Sequence, residues 1–225
     1  GSEMCIRDSS IGIQGFEKIR TENYFYVDKT GFIKEWWETG ADVTLITRPR
    51  RFGKTLNMSM LEKFFSIEYA KRDELFEGLN IWKYKEYREI QGTYPVIFLS
   101  FANVKENTYE QARESICRII QELYNQNIFL LHTDLLTDNE KEEYKQISTK
   151  MNDSMISDAI RKMSDYLSRY YGKKTIILLD EYDTPIQEAY VGGFWPDLMG
   201  VLRSLLNSTF KTNPYLERAI MTGIT

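Results

Sequence analysis

Histidine and cysteine are nearly absent, with one His and two Cys in 225 residues. That scarcity excludes a disulfide framework and any His/Cys zinc site of ordinary ligand number. Cys5 lies in an unpatterned leader, Cys117 beside Ile116 in a helical run reads as a buried thiol, and His132 reads as a surface or packing residue. No apolar run approaches the length of a membrane span, and no charged-then-apolar leader suggests secretion. An intracellular, cytoplasmic setting is therefore expected, with no membrane partner. An excess of positive charge is missing too: the net charge is −4, so overall electrostatics give no reason to expect nucleic-acid binding.

What is present suffices for a sizeable core, with 42% hydrophobic and 14% aromatic residues. Residues 1–9 show no periodicity and are expected to be a non-native or disordered leader. The fold is expected over 10–225 as one domain carrying a helical insertion at about 103–172.

The most informative stretch is Asp42 to Thr55. A short β-branched run, Val43 to Thr47, expected to be a buried parallel strand, leads into the basic loop Arg48, Pro49, Arg50, Arg51, Phe52. Gly53, Lys54 and Thr55 then open a helix-compatible segment reaching Tyr69. Strand, loop and helix in this order create an anion-binding concavity of backbone N–H groups and an open helix N-terminus. Gly53 permits close approach of a phosphate, Lys54 supplies a mobile charge for its oxygens, and the Thr55 hydroxyl can ligate Mg²⁺. A nucleoside triphosphate is the ligand this pattern suits. The usual phosphate-loop pattern has a glycine five positions before Gly53, where this chain has Arg48, and a solvated basic turn is the competing reading.

Elsewhere the periodicities alternate between helix and strand. Thr30 is expected to cap a helix carrying Phe32, Ile33, Trp36 and Trp37, and Phe16 and Tyr26 are either core residues or the two sides of a nucleobase pocket. Tyr94 to Phe101 reads as a second buried strand with Pro95 at its start. Thr108 and Gln111 form a capping-box pattern ahead of an apolar helix face, and a charged stretch over 134–150 reads as peripheral. A helix from about Ile156 ends at Gly172. A further helix is expected over 194–210, and a last strand over 218–225.

The second half of the site is Ile176-Ile177-Leu178-Leu179-Asp180-Glu181-Tyr182-Asp183. A continuously apolar strand needs cover on both faces, and ligands of open α/β sheets bind beyond the carboxyl ends of strands. Asp180 is thus expected on the same rim as the phosphate loop, holding Mg²⁺ opposite Thr55, with Glu181 placed to polarise a water that attacks the γ-phosphate. The competing reading is a solvated turn. Thr222 or Thr225 ends the last strand, either contacting the γ-phosphate or attacking water, or serving as an ordinary strand-end threonine.

In the blocks Tyr26 to Thr30, Arg48 to Thr55, Leu179 to Pro185 and Thr222 to Ile224, the chain resembles the AAA-ATPase-like domain family. In that family the missing first glycine is normal. The resemblance implies an α/β P-loop NTPase-type three-layer sandwich with a mostly parallel sheet, with the strand ending at Thr222 between those ending at Thr47 and Asp180. It also implies ATP as the nucleotide and a catalytic glutamate after the Walker B aspartate. Members usually continue into more of the ATPase and often a nuclease-like domain of the PD-(D/E)XK type, so this chain reads as truncated at its C-terminus.

Mg²⁺-dependent ATP hydrolysis coupled to a conformational output is the expected function, with Lys54, Glu181 and Thr222 in catalytic roles and Thr55 and Asp180 as metal ligands. The alternative is a nucleotide-gated protein or nucleic-acid binding module with little turnover.

Overall fold

A computed structural model describes residues 15–47 and 54–224, except for the side chain of Lys54. The basic loop from Arg48 to Gly53, the leader and Thr225 lie outside the described residues.

Among the described residues four strands form the sheet: β1 (Val43–Thr47), β2 (Val96–Ser100), β3 (Thr175–Asp180) and β4 (Leu216–Gly223). Their order is β1-β4-β3-β2 and every pairing is parallel, so all four carboxyl ends share one rim. The strand ending at Thr222 does separate the other two site strands. β3 is buried at all six positions, as its unbroken apolar run requires of a central parallel strand.

Side chains alternate between two cores across this sheet. On one face, Ile176, Leu178 and Ile220 meet α1 (Phe16–Thr21), α2 (Gly31–Thr39), α3 (Lys54–Phe65) and Tyr87 of α4 (Lys85–Ile90). On the other, Ile97, Leu99, Ile177, Leu179 and Ala219 meet α5 (Tyr109–Gln126), α6 (Asp138–Lys145), α7 (Asp153–Tyr171), α8 (Thr184–Gly192) and α9 (Trp195–Leu206). Helices on both faces of a parallel sheet make the three-layer sandwich.

The distribution of helices follows from chain direction. The β1-to-β2 crossover runs across the sheet with α3 on one face; β2 to β3 to β4 returns the opposite way. A right-handed crossover that reverses direction must change face, and the return helices do lie on the other side. The helices that follow β1 and β3, α3 and α8, therefore lie on opposite faces, which puts the end of β4 at the switch point between them.

Tertiary ties fix the layers. The Arg218 guanidinium donates to the carbonyl of Trp37 at 2.6 Å and lies over its ring, so β4 satisfies carbonyls of the last turn of α2. On the far face, the Tyr124 hydroxyl donates to the Ala159 carbonyl at 2.6 Å, joining α5 to α7. The charged stretch of residues 134–150 contains α6, whose capping box pairs Thr137 with Glu140, and it buries Leu136 and Tyr144 in the same core as the sheet.

Several local expectations are corrected. β1 is not a buried strand among the described residues: it is paired on one side only, and Val43 and Leu45 are 36% and 52% exposed. An apolar run reports affinity for a core, not position in the sheet. Thr30 precedes α2, but its side chain makes no cap; the hydroxyl instead donates to Asp28 Oδ1 at 2.5 Å and accepts from the Ile81 amide at 3.2 Å. Phe16 is fully buried, stacked on Phe76, and therefore closed to a nucleobase. The Tyr26 hydroxyl is half-buried against Met60 Sδ, and burial pushes its pKa up to about 12. The helix expected over 194–210 ends as α at Leu206 and continues as a π-turn, Asn207–Lys211.

Candidate functional site

Three segments distant in sequence converge at the rim: the start of α3, the end of β3 and the end of β4. Thr55 Oγ1 donates to Asp180 Oδ2 at 2.9 Å across 125 residues. Thr222 Oγ1 donates to Asp180 Oδ1 and accepts the Glu181 amide N–H at 3.0 Å. Asp180 is 1% exposed, so each of its oxygens is withdrawn from water and held by a hydroxyl.

Local backbone geometry separates Asp180 from Glu181. Asp180 still belongs to β3, and its carbonyl accepts the Phe101 amide at 2.9 Å. Glu181 then takes φ +51°, a left-handed conformation uncommon for a side chain of this size. The strand breaks there, and α8 begins three residues later with Pro185 in its first turn. Such a residue persists only where its surroundings hold it. Thr222 supplies that hold: its hydroxyl takes the Glu181 amide, and its carbonyl takes the Tyr182 amide at 3.0 Å.

Two neighbours complete the arrangement. Thr184 Oγ1 donates to Glu181 Oε2 at 3.0 Å, fixing the carboxylate. Asp183 Oδ2 accepts the Ile224 amide at 2.9 Å and the Gln187 side chain at 3.3 Å, fastening α8 to the end of β4. Sequence reasoning assigned neither residue a role. The available signal was a threonine three positions after Glu181; the tight turn between the end of β3 and the start of α8, in which the Thr184 amide donates to the Glu181 carbonyl at 3.3 Å, brings the two side chains together.

The expected site residues thus divide. Thr55, Asp180, Glu181 and Thr222 stand together at the rim. Arg48, Pro49, Arg50, Arg51, Phe52 and Gly53 lie outside the described residues, as does the Lys54 side chain, although Lys54 is the first residue of α3. The Thr222 hydroxyl is engaged with both acidic residues, which makes it a positioning group for them.

The donor set suits Mg²⁺. Two cis ligands of an octahedral ion at 2.0–2.1 Å stand roughly 2.9 Å apart, and the Thr55 hydroxyl and Asp180 carboxylate oxygens are 2.9 Å apart. Hydroxyl and carboxylate are hard oxygen donors, and Mg²⁺ commonly takes only one or two protein ligands beside phosphate and water. Among the described residues no cluster of three or more His, Cys, Asp or Glu forms an all-protein cage.

A parallel α/β sandwich with a hydroxyl at the start of the helix after β1 and a carboxylate at the end of β3 has the layout of a P-loop protein. The family comparison gives the same answer over nearly the whole chain: residues 10–225 match the AAA-ATPase-like family, described as "Predicted AAA-ATPase", and the chain belongs to that family. One curated relative, "Uncharacterized protein in vnfD 5'region" of Azotobacter chroococcum mcd 1, is 28% identical over 219 residues, covering 95% of this chain and 36% of its own length. The chain thus spans about a third of that relative. No solved structure matches the chain at a significant level. Among the described residues no helix is long and apolar enough to cross a membrane.

Proposed function

We propose that this domain binds ATP with Mg²⁺ at the rim formed by α3, β3 and β4, and hydrolyses it. The observation that carries the reading is the contact between Thr55 and Asp180, which brings the start of α3 and the end of β3 to one point on the rim and so supports a shared metal–triphosphate site there. A Thr–Asp hydrogen bond alone is common; its position on the shared rim of a parallel sheet, directly after Lys54, gives it this meaning.

In this reading Lys54 and the backbone of the preceding loop hold the β- and γ-phosphates, while Thr55 and Asp180 hold the ion. An ion held by Thr55 and Asp180 would supply positive charge to offset the negative charge that develops on the phosphates. Glu181 orients a water and accepts its proton as the water oxygen bonds to the γ-phosphorus and the bond to the bridging oxygen of ADP breaks. Thr184 and Thr222 keep Glu181 aimed, one at the carboxylate and the other at the backbone. ADP and inorganic phosphate are the products. The cytoplasm, where ATP and Mg²⁺ coexist, suits the chemistry, and in a longer chain a nuclease-like domain is the element such a cycle would move.

Titration of the protein with ATP, with and without Mg²⁺, tests the reading. Binding is expected to need the metal, to vanish in Lys54→Ala and to survive in Glu181→Gln, whose phosphate release is lost. Unchanged release by Glu181→Gln would remove Glu181 from the mechanism. ATP binding with no turnover by the unaltered chain would favour the nucleotide-gated module instead.

A further inference from the structure

Apart from the cavity that Phe32 lines beside the rim, a further one of about 290 Å³ lies on the far face of the sheet, among α5, α6 and α7. Tyr144 and Ile147 wall it from the α6 side, Met155 and Tyr166 from α7. Glu143 and Lys162 also line it, with their charged ends paired at 3.1 Å and both side chains about half exposed, which puts them at its mouth. None of these residues belongs to the rim.

We propose that this cavity is a binding site for a free α-amino acid whose side chain ends in a carboxamide. Its volume lies just under the range of drug-sized sites, which suits a ligand of amino-acid size.

The floor supplies the first argument. Two of the tyrosine hydroxyls around the cavity are already committed: Tyr124 donates to the Ala159 carbonyl at 2.6 Å and Tyr144 to the Tyr124 carbonyl at 2.5 Å. Tyr166 differs. It is 2% exposed, yet its hydroxyl bonds to none of the described residues. Its oxygen is nonetheless not sealed in the core, so the space it reaches is the cavity that the residue lines. A buried hydroxyl without a partner is costly and uncommon, and a ligand that bonds to it removes the cost. Burial holds its pKa well above the usual tyrosine value, with the Glu140 and Glu143 carboxylates adding to the effect, so the group stays a neutral hydroxyl that both donates and accepts.

The mouth supplies the second. An α-amino acid carries its ammonium and carboxylate on one carbon. With the ammonium against Glu143 and the carboxylate against Lys162, four charges form a ring in which every neighbour has the opposite sign, and the existing pair need not separate. A ligand with only one charge would set it against a like charge. Between mouth and floor, Lys162 and Tyr166 stand one turn apart on α7, roughly 5–6 Å between their Cβ atoms. Two methylenes and a carboxamide cover that span. The unpaired hydroxyl disfavours a purely apolar side chain, and the two carboxylates acting on Tyr166 disfavour one that ends in a third.

The test is calorimetric titration of the full 225-residue chain with L-glutamine, L-glutamate, L-leucine and glutaramate, which is glutamine without its ammonium group. No nucleotide is present, so the outcome is independent of the rim. Glutamine is expected to bind at least about tenfold more tightly than the other three. Tyr166→Phe deletes a hydroxyl that no described residue uses, and should bring glutamine and leucine within about threefold of each other; a tyrosine that serves packing alone would leave the preference intact. Lys162→Met keeps the aliphatic stem and should weaken glutamine at least about tenfold, so the test does not depend on one variant folding. Absence of glutamine binding would overturn the proposal, as would glutaramate binding as tightly as glutamine, or glutamine binding that both variants leave unchanged.

Discussion

Thr222 donates its hydroxyl to Asp180 Oδ1 between neighbouring strands, and the same oxygen accepts the amide of Glu181. One threonine thereby sets both acidic residues: the side chain of the first and the backbone of the second. Thr222→Val keeps the shape and deletes the hydroxyl, leaving a carboxylate oxygen and an amide short of partners in a buried place. It should cost about 1–3 kcal/mol of stability and depress ATP turnover. Thr222→Ser, which restores the oxygen, should recover most of both; denaturant titrations alongside phosphate release check this.

Glu181 carries two separable properties, its carboxylate and its left-handed backbone. Glu181→Gln leaves the backbone cost in place, and is expected to lower hydrolysis by about 10²–10⁴-fold with ATP affinity retained. Glu181→Gly should lose hydrolysis equally but raise unfolding stability by up to about 1 kcal/mol, because φ +51° is free for glycine. Equal melting temperatures for the two variants would show that Glu181 is not strained.

Gly92 makes a purely structural prediction on the opposite side of the molecule from any chemistry. Its φ is +70°, its amide donates to the Phe64 carbonyl at 2.8 Å, and a Cβ there would stand 2.6 Å from the Ala70 Cα. Backbone cannot step aside as a side-chain tip can. Gly92→Ala should destabilise by more than the ~1–2 kcal/mol of left-handed strain alone, measured by thermal unfolding, with no selective effect on nucleotide affinity.

Asp28 predicts a pH dependence. Burial alone would raise its pKa, but donation from the Thr30 hydroxyl and from the Asn80 and Thr30 amides outweighs that and holds it below the ordinary 3.8. A carboxyl depressed by folding contributes stability above its unfolded pKa, and that contribution is lost as pH falls through the folded value. The loss is therefore expected below about pH 4. Asp28→Asn should be less stable at neutral pH and should flatten the acid limb of the stability curve; a parallel limb in the variant would assign the acid loss to other carboxyls.

The two halves of the site were legible in the chain because each is local chemistry. Gly53-Lys54-Thr55 after a β-branched run and Asp180-Glu181 after an apolar one both report a strand ending in polar residues at a rim, and the described parts of both stand where that pattern puts them. Thr222 was legible as a strand-end threonine with a candidate role toward the γ-phosphate or attacking water, but not as a partner of Asp180 and of the Glu181 amide. Its actual partners depend on the register of β3 against β4, which aligns Leu179 with Met221 and so brings Thr222 level with Asp180.

Sequence by itself determined the alternation of strands and helices, the buried centre of the sheet and the acidic residues after it, since hydrophobic period and residue type act over a few neighbours. Only the tertiary structure decided that β1 lies at an edge of the sheet among the described residues, that Phe16 is shut into a core while Phe32 faces a cavity, and that Thr184 and Thr222 position Glu181. Those outcomes depend on which distant surfaces pack together, and packing is settled by shape and by the pairing of buried polar groups across the whole chain, quantities that no short stretch of residues contains.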